Sequence, residues 1–271
     1  MNKNFIIMPP YYAGTSFNDI YKGLKNVLPQ IPTQITILGY SQPIKNKLGF
    51  HLLDDKSYIN GQLSIIKKIL DLKNPQKIFF LDFFNPGIDI IRYYHEQQKI
   101  SCNYGAMICG GSFIKNDIYS FSWLGPIEEA WANIYNKIYI SSLYGLDSLP
   151  SSFRKKTKVF PLGLDHFKPI VKDIKNIDVI FPHRLNKDKG IKDFYKIIKS
   201  LPSVNFTVTI PQDKKFVSNN PYYKKLKTFK NIDFIFAELD KKHLFTLASA
   251  KIVLSTAKQE LFGYSIMKSV L

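Results

Sequence analysis

The sequence has little of three things, and each scarcity narrows what the chain can be. Cysteine occurs twice in 271 residues, at Cys102 and Cys109. Two cysteines suggest neither a disulfide scaffold nor a zinc site, and they suit a reducing compartment. Long hydrophobic runs are missing. Nothing approaches the roughly 20 apolar residues of a membrane span. The apolar start Phe5-Ile6-Ile7-Met8 is too short for a signal peptide, and Pro9-Pro10 ends it. A cytoplasmic protein is the expectation. Acid is also scarce: 21 Asp and Glu stand against 38 Lys and Arg, a net charge of +17. That imbalance attracts phosphate-rich partners: nucleic acid, an anionic membrane face or nucleotides. Lys, Asn and Ile are abundant together, so AT-rich coding would account for part of it. The five histidines, at 51, 95, 166, 183 and 243, show no paired metal-ligand spacing. No nucleophile elbow supports a Ser-His-Asp site.

What is present is an alternation of short apolar runs and amphipathic stretches. The chain is long enough for two domains, and 45% hydrophobic residues can bury a core. Strands are expected at Asn4–Met8, Gln34–Leu38, Lys77–Phe84, Ser101–Ile108 and Lys137–Ser141. Helices are expected at Asn18–Val27, Ile59–Leu72, Ile88–Gln98 and Ile127–Tyr135. Gly14 sits in a small-residue loop between the first strand and helix, the generic place for a phosphate. Cys109-Gly110-Gly111-Ser112 ends the fourth strand on the ligand side of an open α/β sheet, where it either lets acceptor or sugar come close or makes a tight turn, the reading favoured here. The loop from Phe113 to Trp123 carries four aromatics, Phe113, Tyr119, Phe121 and Trp123. They either stack on bases or sugars or pack the loop onto the domain. The basic run Arg154 to Lys158 reads as a solvated face or a phosphate track.

Pro161-Leu162-Gly163-Leu164-Asp165-His166-Phe167-Lys168-Pro169 has linker punctuation, which puts a domain boundary near Pro169. Beyond it the rhythm resumes. Strands are expected at Asp178–Phe181, Val204–Ile210, Ile232–Phe236 and Ile252–Leu254. Helices are expected at Lys189–Ser200, Tyr222–Phe229 and Lys241–Ala248. Strands separated by helices imply parallel sheets.

Two stretches carry chemistry. In Phe181-Pro182-His183-Arg184-Leu185-Asn186-Lys187-Asp188-Lys189-Gly190, two cations stand five residues apart at a strand end and a helix start. Both can reach one diphosphate, Arg184 bidentately and Lys189 as a point charge. The second stretch, Lys251 to Leu271, reads strand, small polar turn (Ser255, Thr256), carboxylate (Glu260), Phe262-Gly263-Tyr264, then helix. Gly263 allows close approach to the backbone, the helix start suits an anion, and Glu260 suits sugar hydroxyls. The plain alternative is a buried strand and helix with Glu260 as a solvated cap.

Ser-Thr-Ala-x-x-Glu-x-Phe-Gly before a helix, with Arg184, Lys189 and Gly190 upstream, resembles the retaining GT-B glycosyltransferases of family 4. Pro-His-Arg, Asp-Lys and Phe194 make residues 177–271 similar to the tRNA-queuosine mannosyltransferase-like branch. The first half matches in rhythm more than in motif. The resemblance implies two Rossmann-like parallel-sheet domains facing a cleft. Residues 1–169 would form the acceptor-side domain. Residues 170–271 would form the nucleotide-sugar domain, which is short for its kind. It implies Arg184, Lys189 and Glu260 as catalytic residues. It implies donor contacts from Gly14, His183, Gly190, Ser255, Thr256, Phe262, Gly263, Tyr264 and Lys268. Lys268 stands where the family usually places a second Glu, on the ribose. Many relatives have two adjacent glycines where this chain has Gly14 alone. There is no Asp-x-Asp, so no metal or other cofactor is expected.

The activity so implied is transfer of a sugar from a nucleotide-sugar donor to a modified base in tRNA or DNA. A lipid-linked or surface glycan at an anionic membrane is the rival acceptor. A non-catalytic, nucleic-acid-binding homologue is the rival class.

Overall fold

The computed structural model describes residues 3–10, 16–40, 56–113, 121–163, 170–172, 174–210, 214–236, 240–258 and 263–269. The chain divides into two compact units, the first running to residue 166 and the second from residue 167.

The first unit runs β1 (Asn4–Ile7), α1 (Ser16–Val27), β2 (Ile35–Leu38), α2 (Lys56–Leu70), β3 (Lys77–Phe80) and α3 (Ile88–Gln97). It continues with β4 (Asn103–Ile108), α4 (Leu124–Ile134), β5 (Lys137–Ile140), α5 (Leu143–Ser148), α6 (Ser151–Arg154) and β6 (Thr157–Val159). The six strands form one parallel sheet in the order β2-β1-β3-β4-β5-β6. Alternate residues build the core face: Phe5, Ile7, Ile78, Phe80, Tyr104, Ala106, Ile108, Ile138 and Ile140 are buried. Ile65 and Ile69 of α2, Ile88 and Ile91 of α3, and Leu124 and Trp131 of α4 are buried too. Each such side chain contributes about 1.5–3 kcal/mol.

Two expectations are corrected, one of a strand's length and one of a solvated face. β3 stops at Phe80 rather than Phe84, because the Asp82 carboxylate accepts from the Phe84 N–H at 3.2 Å and turns the chain. Thr157–Val159, inside and just past the basic run, is an edge strand. Two cations of that run serve backbone oxygens. Arg154 donates to Leu149 O (2.9 Å) and Asp147 O (2.6 Å). Lys156 Nζ reaches Ala132 O, Asn133 O and Tyr135 O, at the end of α4, at 3.3–3.5 Å. That is where a cation best offsets a helix dipole.

The second unit runs β7 (Ile177–Phe181), α7 (Ile191–Ser200), β8 (Phe206–Ile210), α8 (Lys214–Val217), α9 (Pro221–Leu226) and β9 (Ile232–Phe236). It then has α10 (Asp240–Ala248), β10 (Ala250–Val253) and α11 (Tyr264–Lys268). Its parallel sheet has the order β10-β7-β8-β9. α7 buries Ile191, Phe194 and Ile198, the stripe a 3.6-residue period requires. Phe194 stacks on Phe181 of β7 with ring centroids 4.0 Å apart. Asn220 caps α9 through the N–H groups of Tyr222 and Tyr223, and Pro221 fills the first helical position. α9 ends at Leu226, short of the expected Phe229.

Candidate functional site

The loop after β7 carries the candidate chemistry. Ile180 and Phe181 are fully buried, so the strand delivers His183 and Arg184 from a rigid base. Lys187–Lys189 makes a single 3-10 turn, and Gly190 follows at φ +64 before α7 begins. The expected helix start at Lys189 thus moves two residues on. A left-handed residue cannot lie inside a right-handed helix. Glycine at 190 has a second cause: a Cβ there would fall 1.8 Å from Thr256 O. Two segments far apart in sequence touch backbone to backbone at that point.

That contact belongs to a row of fastenings between residues 180–190 and 254–258. Leu254 N donates to Ile180 O at 2.8 Å. His183 Nε2 and Ser255 Oγ share a hydrogen bond of 2.7 Å. Thr256 Oγ1 lies 2.9 Å from Lys189 O and 3.1 Å from Gly190 O. Lys258 N donates to Asp188 O at 3.0 Å. The two motif stretches therefore form one rigid rim at the carboxyl ends of β7 and β10, the ligand edge of a parallel sheet.

The charges on this rim are ordered. The Asp188 carboxylate lies 3.1 Å from the Arg184 guanidinium and 3.3 Å from the Lys189 ammonium. All three side chains are largely buried, 12–18% exposed. One carboxylate thus gathers two cations and leaves the trio with a charge of +1. His183 is 5% exposed. Burial above all, then Lys189, push its pKa down to about 3; Asp188 pulls the other way, and Arg184 adds a smaller push downward. It is neutral at neutral pH, a hydrogen-bonding group rather than a third cation. A dense, fixed positive pair beside a neutral imidazole can take an oxyanion and a polar ligand group together.

Of the residues expected here, the structure brings together His183, Arg184, Lys189, Gly190, Ser255 and Thr256. Gly14, Glu260 and Phe262 lie outside the described residues. Gly263, at φ +35, opens α11, whose first residue is Tyr264. Lys268 lines an open hollow of about 740 Å³ with Val171, Leu244, Leu247, Val253 and Ile266, and none of residues 183–190 lines it. Asp188 was not among the expected site residues. Its place four residues after Arg184 and next to Lys189 is a charge pattern that marks it.

The first unit has a strand-end turn of its own. Gly110-Gly111-Ser112 is held by Glu128 of α4, which is 1% exposed. Its carboxylate accepts from the Ser112 N–H at 3.0 and 3.2 Å and from the Ser112 hydroxyl. His95 is a core residue of α3, with Nδ1 2.5 Å from the Tyr104 hydroxyl. Of the loop aromatics, Phe113 packs edge-on against buried Phe153. Phe121 and Trp123 stack on each other and stay exposed. Tyr119 lies outside the described residues.

No protein-family model and no curated protein sequence matches the chain. Solved structures do. The catalytic domain of starch synthase IV from Arabidopsis thaliana, bound to ADP and acarbose, superposes with a TM-score of 0.67 at 11% identity. The match covers 99% of this chain and 81% of that one. AviGT4, a glycosyltransferase of avilamycin A biosynthesis, gives 0.56 at 10% identity, over 98% and 76%. TarM from S. aureus, in complex with UDP, gives 0.55 at 13%, over 77% of this chain but 42% of its own length. The chain thus spans less than half of TarM. At such identities the likeness shows the fold, two Rossmann-like parallel-sheet units of the GT-B kind, as the sequence led one to expect. Among the described residues no helix is long and apolar enough to cross a membrane.

Proposed function

We propose that the protein is a retaining glycosyltransferase that moves a sugar from a nucleotide-sugar donor to a nucleic-acid acceptor, a modified base in tRNA or DNA. The observation that carries the donor half is the Arg184–Asp188–Lys189 trio on a rim fastened to Ser255 and Thr256. The neighbours bound to ADP or UDP support it as relatives in fold. The acceptor half rests on the net charge of +17 and on the resemblance of residues 177–271 to the queuosine branch.

In this reading the anomeric C–O bond breaks with its electron pair going to the leaving diphosphate. Arg184 and Lys189 neutralise that charge as it grows, where fixed charges act most strongly. Neutral His183 and Ser255 bond to the sugar or its phosphate without repelling either cation. Glu260 orients the sugar. Retention means that the acceptor hydroxyl enters on the face the diphosphate leaves. Its proton can then pass to the departing phosphate oxygen, so the step balances without a separate base. No metal is required, because the two cations supply the charge.

Arg184→Ala and Lys189→Ala test this. Each is expected to lower turnover of the matching nucleotide sugar by about 10²–10³, with circular dichroism unchanged. Chelator should leave wild-type turnover as it is. Wild-type rates in either variant would refute the donor site.

A further inference from the structure

The six strands of the first unit carry three charged residues, and all are lysine: Lys77, Lys137 and Lys158. The register puts them on one face. Phe79 pairs with Gly105, and Gly105 with Lys137. Met107 pairs with Tyr139, and Tyr139 with Lys158. Residues two apart on a strand share a face, so Lys77 joins Phe79 and Lys137 joins Tyr139. The opposite face holds buried Ile78, Phe80, Ile138 and Ile140. That face meets the helices: Phe80 packs on Tyr135 at the end of α4, and Tyr104 on His95 of α3.

Handedness says what lies over the lysine face. The connections through α2, α3 and α4 all step from β2 towards β6, whereas β1 to β2 steps the other way. Right-handed crossovers then put α1 alone on the lysine face, above β1 and β2. Over β3 to β6 the described residues place no helix. There the aromatic side chains form a row. Phe79 leans across Gly105, where a Cβ would come within 2.9 Å of its ring, and reaches Tyr139 at 5.7 Å between centroids. Tyr139 meets Phe160, just past β6, at 6.0 Å. Phe79 and Tyr139 are half-buried, Phe160 is 60% exposed, and all three lysines are exposed.

A sheet face of this kind does not suit an apolar partner, since three ammonium groups would lose water without a counter-charge. It suits a chain that alternates phosphates with flat rings. We propose that this face docks a single-stranded segment of nucleic acid, with Lys77, Lys137 and Lys158 on phosphates and Phe160, Tyr139 and Phe79 offering ring faces or edges to bases. The proposal rests on the nucleic-acid acceptor reading above and says where on the chain that acceptor is held.

Fluorescence anisotropy with a labelled oligouridylate of about 15 nucleotides tests it across a salt series. The double reversal Lys137→Glu/Lys158→Glu should weaken binding at least about tenfold at low salt. It should also flatten the slope of log affinity against log salt by about two, one unit per lysine. Phe160→Ala should weaken binding about fivefold or more and leave the slope alone. Thermal shifts caused by nucleoside diphosphates should stay as in wild type. If wild type binds and both variants bind equally with the same slope, this face is wrong while the acceptor reading stands. If wild type binds no oligonucleotide, both fall. If the reversal changes only the oligomeric state, the face belongs to a second copy of the chain, and the proposal is overturned.

Discussion

Each unit pins a strand-end turn with one carboxylate, and the two carboxylates do opposite things. Glu128 accepts from a backbone N–H and a hydroxyl, neutral donors that the fold itself must satisfy. Asp188 accepts from two cations that the fold could have left in water. The first arrangement uses up the carboxylate and leaves nothing for a ligand. The second gathers two cations on one carboxylate at a fixed place. A buried acid next to amides is therefore a fastener. A buried acid between two bases makes a candidate site, because it brings like charges together at one place.

The largest expected effect separates the two roles. Glu128→Ala removes a buried acceptor and leaves the Ser112 N–H without its partner. The cost should be about 2–4 kcal/mol in urea unfolding. Affinity for a nucleoside diphosphate should not change. Weaker nucleotide binding at unchanged stability would break the comparison, since Glu128 would then belong to a site.

Next in size is a pH effect on the second rim. His183 is depressed from 6.5 to about 3, chiefly by burial. The unfolded chain therefore takes up a proton below pH 6.5 that the folded chain refuses. This site's share of stability is complete above pH 6.5 and is lost progressively as pH falls towards 3, about 2–3 kcal/mol of it by pH 4.5. His183→Asn has no such proton to take. The drop in urea midpoint between pH 7 and pH 4.5 should be smaller in the variant. Equal drops would mean that the imidazole is not held neutral, and the rim would then carry a third cation.

Much of this rim was legible in the sequence, and the reason is local. Arg184, Lys189 and Gly190 keep fixed spacing between a strand and a helix, so their convergence follows from short-range geometry. The left-handed turn at Gly190 is likewise what glycine there permits. Asp188 is not legible in this way, because acid among lysines has the pattern of solvated charge and only its burial distinguishes it. The aromatic row was illegible for a different cause. Phe79, Tyr139 and Phe160 are far apart in sequence and meet only through sheet order, which depends on crossovers rather than on any run of residues. Thr157–Val159 escaped because three residues are too few for a period, and its basic flank looked like a surface. Most strand interiors were plain, because the buried face of each strand asks for an apolar residue at every second position.

The smallest effect bears hardest on the comparison. Asp188→Asn removes one negative charge and keeps the shape. Stability should fall by about 1–2 kcal/mol, because two largely buried cations lose the carboxylate they share while the amide still offers them a hydrogen-bond acceptor. Ligand binding should change in the opposite direction. Without the carboxylate the trio rises from +1 to +2, and a diphosphate no longer competes with an internal anion. Calorimetry should therefore give tighter binding of a nucleoside diphosphate, by about three- to tenfold in low salt, with the gain fading as salt screens it. Turnover should fall all the same, because product leaves more slowly and two cations without their shared partner lose their aim. Tighter product and slower turnover together are a pattern that a merely structural aspartate would not produce. Weaker binding instead would mean that Asp188 serves the cations only by holding them still, as Glu128 holds its turn, and the contrast between the two rims would shrink to one of partners.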